Sequence, residues 1–449
     1  MFSFEADLKR TPNVSLGGAS KKEQKASLLH RTQEERRKRE DGRKRLKNAI
    51  IIQSYIRGFQ ERKRQYGIQR SHFDRCVCES QCFSGSTLLD CSLLTLLIRC
   101  LLFFYHNSKD TPRLIWLCQN VVKHHTQFVK LLAGPERNTC VFQIKKLLGH
   151  CCRLLQLCED EGVNVAVPML MLEVFTSERT YLPPLQDDSA AAALTEQVLH
   201  YMVQKGYYRM LYVLANHKLP SSLDYSDAPS LPLAHTLLEH TLKPLHFMYS
   251  SCPKGARQLV FSAFTEDFIS LAFTEQMFHF FVPALADRRL SFPFHDFLFS
   301  LQPNISLSDQ AQCHAPWLFY FVLSLGEMGL GSLSEEGLLL YLSSLHALLP
   351  LLPVSESHAK FDVTRDSKDD DINSTQPPVQ DDNSMSVQFI TQLCLQKLDS
   401  ELQTNVLLSL VLRDSASEDV FIMMASICHT LMAQHCKMVS KVRLAHAHI

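Results

Sequence analysis

The sequence predicts an all-α protein: a long basic N-terminal helix followed by an irregular α-solenoid of the armadillo or HEAT kind, interrupted by a disordered acidic linker. Three observations predict it. From Leu88 onward apolar residues recur at helical steps of three and four in one segment after another, clusters of Gly, Pro, Ser and Asp separate the segments, and neither an alternating strand run nor a Gly-rich phosphate loop occurs. Short successive helices without a fixed-period consensus fit an irregular solenoid better than a single bundle, and what solenoids usually offer is a binding surface.

The 449 residues, 46% hydrophobic, suffice for two to three domains' worth of core. The formal net charge of +0 hides an asymmetry: residues 1–75 hold 20 Lys and Arg against 9 Asp and Glu, leaving 26 against 37 in the remainder. Arm and body therefore attract each other, either by docking within the chain or by reserving the arm for an acidic partner. Fifteen Cys without an apolar secretory segment at the start imply a reducing cytoplasmic or nuclear compartment. The most apolar run, Leu88 to Tyr105, is broken by Asp90 and Arg99 and falls short of the ~20 residues of a membrane span. It reads as a buried helix.

Residues 1–20, with Pro12, Gly17 and Gly18, form an irregular lead-in. A basic helical arm follows over 21–75, rich in Lys, Arg, Glu and Gln and interrupted once by Gly42. Its cations Arg36 to Arg39 and Arg43 to Arg45 are diluted by Glu34, Glu35, Glu40 and Asp41, and no aromatic platform accompanies them, which argues against nucleic acid. A solenoid-like body is expected over 76–353. Within it Thr111 and Pro112 are expected to start a helix that presents Ile115, Cys118, Val122, His125, Val129 and Leu132, up to the stop at Gly134-Pro135. Ile144, Leu148, Cys151, Leu155 and Cys158 make the next stripe. Further helices are predicted over Val165–Phe175, Thr195–Lys205, Tyr207–His217, Leu231–Tyr249, Ala256–Phe264, Glu275–Val282 and Trp317–Met328. Ser332 with Glu335 is expected to cap a helix through Leu338, Leu342, Leu345 and Leu349. Residues 354–384, rich in Asp with Pro377-Pro378, read as the acidic linker; the acids lack the spacing of an EF-hand calcium loop. Helices resume over 385–449, at Val387–Leu398, Glu401–Leu412 and Ser417–His435.

The most specific short signal lies in the arm, about residues 45–66. Ile52-Gln53, then Arg57-Gly58, then Arg62 meet every landmark of the IQ pattern. On a helix Ala49, Ile52, Ile56 and Phe59 form one apolar stripe, while Gln53 and Arg57 are neighbours on an adjacent face. An amphipathic helix flanked by cations suits the groove of calmodulin or a related EF-hand protein, whose acidic lobes meet the cations while an apolar cleft takes the aliphatic anchors. The alternative is a solvated basic helix whose stripe packs on its own body.

Catalytic and metal chemistry find less support. Cys76, Cys78, Cys82, Cys91 and Cys100 with His72 lack the repeated Cys pairs of a structural zinc site. His124, His125, His200, His235, His240 and His279 sit on helical segments, where a structural role is the default, and nothing near Cys140 supplies a base. No cofactor and no metal are expected.

The segments VSLGGASKKEQKASLLHRTQEERRKRE from Val14, NAIIIQSYIRGF from Asn48, APWLFYFVLSLGE from Ala315, GSLSEEGLLLYL from Gly331 and RDSASEDVF from Arg413 resemble the N-terminal half of a HECT-type ubiquitin ligase of the proteasome-associated kind with an N-terminal IQ motif. The resemblance implies transfer of ubiquitin from a conjugating enzyme, through a thioester on a ligase cysteine, to substrate lysines, with polyubiquitin chains built at the proteasome. It implies ubiquitination substrates, the proteasome and an EF-hand protein as partners. Family members carry their nucleophile in a Thr-Cys motif of a C-terminal HECT domain. No position up to Ile449 matches it, Cys140 included, so this stretch is expected to recognise partners and to be inactive alone, as part of a ligase or as a stand-alone competitor of one.

Overall fold

The computed structural model of the chain describes residues 21–82, 90–157, 165–225, 231–251, 254–287, 292–301, 311–329, 334–353, 386–399 and 418–446. Among these residues there is no strand, and seventeen α-helices carry the fold. The chain divides into two compact units, Met1–Cys78 and Glu79–Ile449.

The first unit is built on α1, Lys21–Cys82, a single helix of 62 residues. Strong helix formers fill it, and exposed pairs on its surface support it: Glu35–Arg39 at 3.3 Å, Glu40–Lys44 at 3.4 Å and Glu61–Arg64 at 2.7 Å. Such exposed pairs, three or four residues apart, support a helix only modestly. Neither Gly42 nor the Cys76-Val77-Cys78 stretch breaks the helix.

The second unit opens with α2 (Cys91–Phe104), α3 (Asn107–Lys123), α4 (His125–Phe128) and α5 (Arg137–Gln156). There follow α6 (Ala166–Phe175), α7 (Glu178–Leu185), α8 (Asp188–Gln204), α9 (Tyr207–Lys218), α10 (Pro232–Ser251) and α11 (Lys254–Phe264). Then come α12 (Val282–Ala286), α13 (Phe294–Leu301), α14 (Ala311–Gly329), α15 (Glu335–Leu348), α16 (Val387–Asp399) and α17 (Glu418–His446). The packed pairs advance along the chain: α2 and α3 on α5 and α6, α5 on α9, α8 and α9 on α10, α11 on α13, α14 on α15 and α16, α15 on α17. This stepwise hand-over from neighbour to neighbour is what defines a solenoid.

Several local expectations are corrected. Thr111 is not an N-cap: α3 starts at Asn107, and Asp110 at its start accepts from the backbone N–H of His106 at 2.9 Å. Pro112 then sits inside the helix, where it has no N–H to offer the carbonyl four residues back. The helix ends at Lys123 instead of running on to Gly134, so the buried face comprises Leu114, Leu117, Cys118 and Val121, with Ile115, Val122 and His125 only half-buried. The cap of α15 is Ser334, whose hydroxyl accepts from the Gly337 N–H at 3.2 Å, and not Ser332, which lies outside the described residues. The short α7 and α13 have no counterpart among the expected helices, because eight residues show too few periods to read. The expected acidic linker, Cys158 and the helix Glu401–Leu412 also lie outside the described residues.

Two features hold the layers together. Between α8 and α9, Gly206 adopts φ +81°, and the Gln156 side chain at the end of α5 donates to its carbonyl at 2.7 Å. The positive φ favours glycine, and a Cβ there would stand 2.6 Å from Gln156 Nε2 and displace that side chain from its bond. Further on, Phe264, Phe297 and Phe321 from α11, α13 and α14 meet edge to face at centroid distances of 5.5–6.0 Å. That geometry adds to the burial gain of large rings. Next to this cluster the backbone widens into π-helical turns at Thr265–Ile269 and Met277–Phe281, which turn Phe268, Phe280 and Phe281 into the core.

Candidate partner-binding helix

The IQ segment lies within α1, where the helical register fixes the spacing that the sequence implies. Ile52, Ile56 and Phe59 are 58%, 51% and 62% exposed, so the apolar stripe stands in water. Gln53, Arg57 and Arg62 are exposed too, and Gly58 is half-exposed. A Cβ on Gly58 would stand 3.3 Å from a guanidinium nitrogen of Arg62, which places the Arg62 head one turn on, over the bare glycine backbone. One turn after Arg57, Glu61 accepts from Arg64 Nε at 2.9 Å and from Gln65 at 2.8 Å. These bonds hold its carboxyl down at about 2, so the acid stays ionised and satisfied on the helix itself.

The structure adds what the stripe alone does not show. Leu46, Ile50, Ile51 and Tyr55 are also exposed, so apolar side chains project around most of the helix circumference between Leu46 and Phe59. Helices apolar all round are ordinarily covered, and a partner that encloses the helix covers more of this one than a flat groove would. The run Ala49-Ile50-Ile51-Ile52 carried that signal in sequence.

The other candidate groups have structural surroundings. Cys118 and Cys151 lie buried with sulfurs 3.7 Å apart, an arrangement that, together with burial, pushes the Cys118 thiol up. Burial raises Cys140 to about 12, its sulfur 3.9 Å from the Phe128 carbonyl. Cys152 is raised by burial as well, and Cys394 goes to about 12 for the same reason. Thiols held protonated in apolar surroundings are poor nucleophiles. Among the histidines, burial and then the Lys243 charge lower His240 to about 3, with the Tyr207 hydroxyl 2.9 Å from its Nδ1. His235 pairs with Glu239 at 3.3 Å, and His200 lies 2.9 Å from the Gln204 amide. Burial also lowers His124, while His279 stacks edge-on to Phe278. In the first unit, His72 Nε2 is 3.8 Å from Cys76 Sγ. Among the described residues no group of three or more potential metal ligands comes together, and no helix is long and apolar enough to cross a membrane.

The chain is similar to mouse ubiquitin-protein ligase E3B, with 25% identity over 211 residues. The match covers 43% of this chain and 20% of that protein, so the chain spans a minor part of the relative's length. No family model and no solved structure matches the chain. The similarity supports a distant relation to E3 ubiquitin ligases.

Proposed function

We propose that this chain is the recognition part of a HECT-type ubiquitin ligase related to the C member of the ubiquitin-protein ligase E3 group, which selects substrates and engages the proteasome. The solenoid supplies the recognition surface, and the IQ segment of α1 is gripped by calmodulin or a related EF-hand protein. The observation that carries the reading is the similarity to mouse ubiquitin-protein ligase E3B, joined to the quoted blocks around Val14, Asn48, Ala315, Gly331 and Arg413. The exposed apolar girdle around Ile52, Ile56 and Phe59 supports the EF-hand partner. We place the protein in the cytoplasm or nucleus.

The transfer chemistry belongs, on this reading, to a HECT domain outside these 449 residues, since Cys140, which follows Thr139, is buried on α5 with its thiol raised to about 12. The 449-residue chain, incubated with ubiquitin, activating enzyme and a panel of conjugating enzymes, is expected to form no thiol-reducible adduct. A cysteine-dependent adduct overturns the assignment of the chemistry. Capture of proteasome subunits by the purified chain from cell lysate, read by mass spectrometry, tests the recognition role. Loss of capture relative to a full-length ligase places that role elsewhere. The same buried thiol favours one second reading, a stand-alone scaffold that competes with the full enzyme for partners; in that case added chain lowers ligation by the full-length ligase.

A further inference from the structure

Outside the arm, the second unit carries an open groove of about 590 Å³ between α2 and the start of α5. Its walls are two exposed aromatic rings, Phe103 at 54% and Phe142 at 55% exposure, and Arg99, Asn138, Thr139 and Gln143 line it between them. Arg99 also lines an adjoining cleft of about 360 Å³, together with Thr95 and Glu136.

Three features mark this groove. First, Arg99 is exposed, and no carboxylate lines the main groove. Second, Asn138 and Thr139 belong to the first turn of α5, ahead of the first N–H with an i−4 acceptor, Cys140 to Glu136 at 2.9 Å, and the Glu136 side chain provides no cap. Those N–H groups and the Arg99 guanidinium favour an anion. Third, Gln143 is 2% exposed; its amide nitrogen donates to the Thr95 carbonyl at 3.1 Å, while its Oε1 has no hydrogen-bond partner. Thr95, 8% exposed, likewise has an unpartnered Oγ1, beside the adjoining cleft. Buried polar atoms are ordinarily satisfied, and this acceptor, shut off from solvent beneath the groove lining, is not.

We propose that this groove binds a short extended peptide segment of a partner protein, carrying an acidic residue beside an apolar one. The carboxylate meets Arg99 and the first turn of α5, and the apolar side chain lies between Phe103 and Phe142. A polyphosphate strand fits less well, because the groove offers a single guanidinium and Glu136 guards the adjoining cleft. The Lys146 ammonium, 5.5 Å from the Phe142 ring centroid, adds to the positive side of the site. The assignment stands independently of the ubiquitin-ligase reading.

The test uses the full 449-residue chain on an array of immobilised nonapeptides, each with one Asp or Glu flanked by Leu, Phe, Met or Trp and each printed beside its amide twin. A subset of the acid peptides is expected to bind at least ten-fold more strongly than its twins. Arg99→Glu should remove that signal, and Phe142→Ala should lower it about ten-fold. Both residues are exposed, so both variants should keep the wild-type circular dichroism and melting temperature. Arg36→Glu with Arg37→Glu, which changes the basic arm alone, should leave the pattern intact. Signal that persists in Arg99→Glu, or that vanishes with the arm variant, overturns the proposal, as does an array with no acid-dependent binder. Displacement of array peptides by a synthetic 354–384 peptide, or an Arg99-dependent dimer in sedimentation, overturns it in favour of the chain's own acidic segment or a second copy.

Discussion

Gly326 lies buried in α14, and a Cβ placed on it would stand 2.6 Å from Cζ and 2.7 Å from Cε2 of Tyr341, a ring fully buried in α15. A ring held by packing on every side cannot swing away as the end of a lysine can. Alanine ordinarily improves a helix interior by about 1 kcal/mol over glycine, yet here it must push α14 from α15. Gly326→Ala is therefore expected to destabilise the second unit by about 1–3 kcal/mol, read as a lower denaturation midpoint at unchanged slope. Gly42, on exposed α1 with nothing within 4 Å of its would-be Cβ, is the control in which the propensity gain survives. The same substitution carries opposite signs at two helical glycines, and nothing in the local sequence separates them. Only the contact between α14 and α15 does.

Among the elements, α1 was the most legible and the least dependent on packing. Its helix formers and charge pairs act within one or two turns, so a local reading reaches them; residues 21–75 read as helix, and the structure shows helix from Lys21 to Cys82. Expectations failed where a competing local cap or a short period decides. Thr111-Pro112 looks like a helix start until Asp110 is seen to secure His106 four residues ahead of it. The eight-residue α7 and α13 carry no readable period. For the candidate site, the IQ spacing and the Ala49-Ile50-Ile51-Ile52 run were both legible, but a single stripe passes over Leu46, Ile50, Ile51 and Tyr55, which widen it. The groove beside Arg99 was invisible in sequence, since α2 and α5 meet there from residues some forty positions apart. At this scale the proposed EF-hand contact makes a sharp claim. Replacing Ile52, Gln53 and Arg57 together by Ala removes one anchor and two polar contacts while keeping a strong helix former at each position. Calmodulin affinity, by calorimetry on the chain, is expected to fall at least ten-fold with α-helical content unchanged, and equal affinity removes the IQ assignment.

Across the whole molecule, a solenoid distributes its stability over successive interfaces, so buried groups that resist charging act as local fuses for the stack. His240 on α10 is 3% exposed and lies beside Tyr207 of α9; burial, then the Lys243 charge, lowers it to about 3 from an ordinary 6.5. His150 on α5 is lowered to about 4 by burial, then by Arg153 and Lys146. The sign follows from where the protons sit. Between the depressed native values and 6.5 the unfolded chain binds protons that the native chain refuses, so stability is full above about 6.5 and drains away as the pH falls toward 4. For His240 alone the slope approaches about 1.4 kcal/mol per pH unit within that window. Carboxylates contribute a background of their own below pH 5, which is why the comparison must be internal. His240→Asn keeps an acceptor near the Tyr207 hydroxyl and cannot take up a proton. Its melting temperature is expected to lie below that of the wild type at pH 7.5, because the smaller side chain packs less well, but to fall less steeply between pH 6.5 and 5. Parallel slopes would mean that the interface between α9 and α10 opens enough for His240 to charge in the native state, and that the acid sensitivity of the stack resides at another of its interfaces.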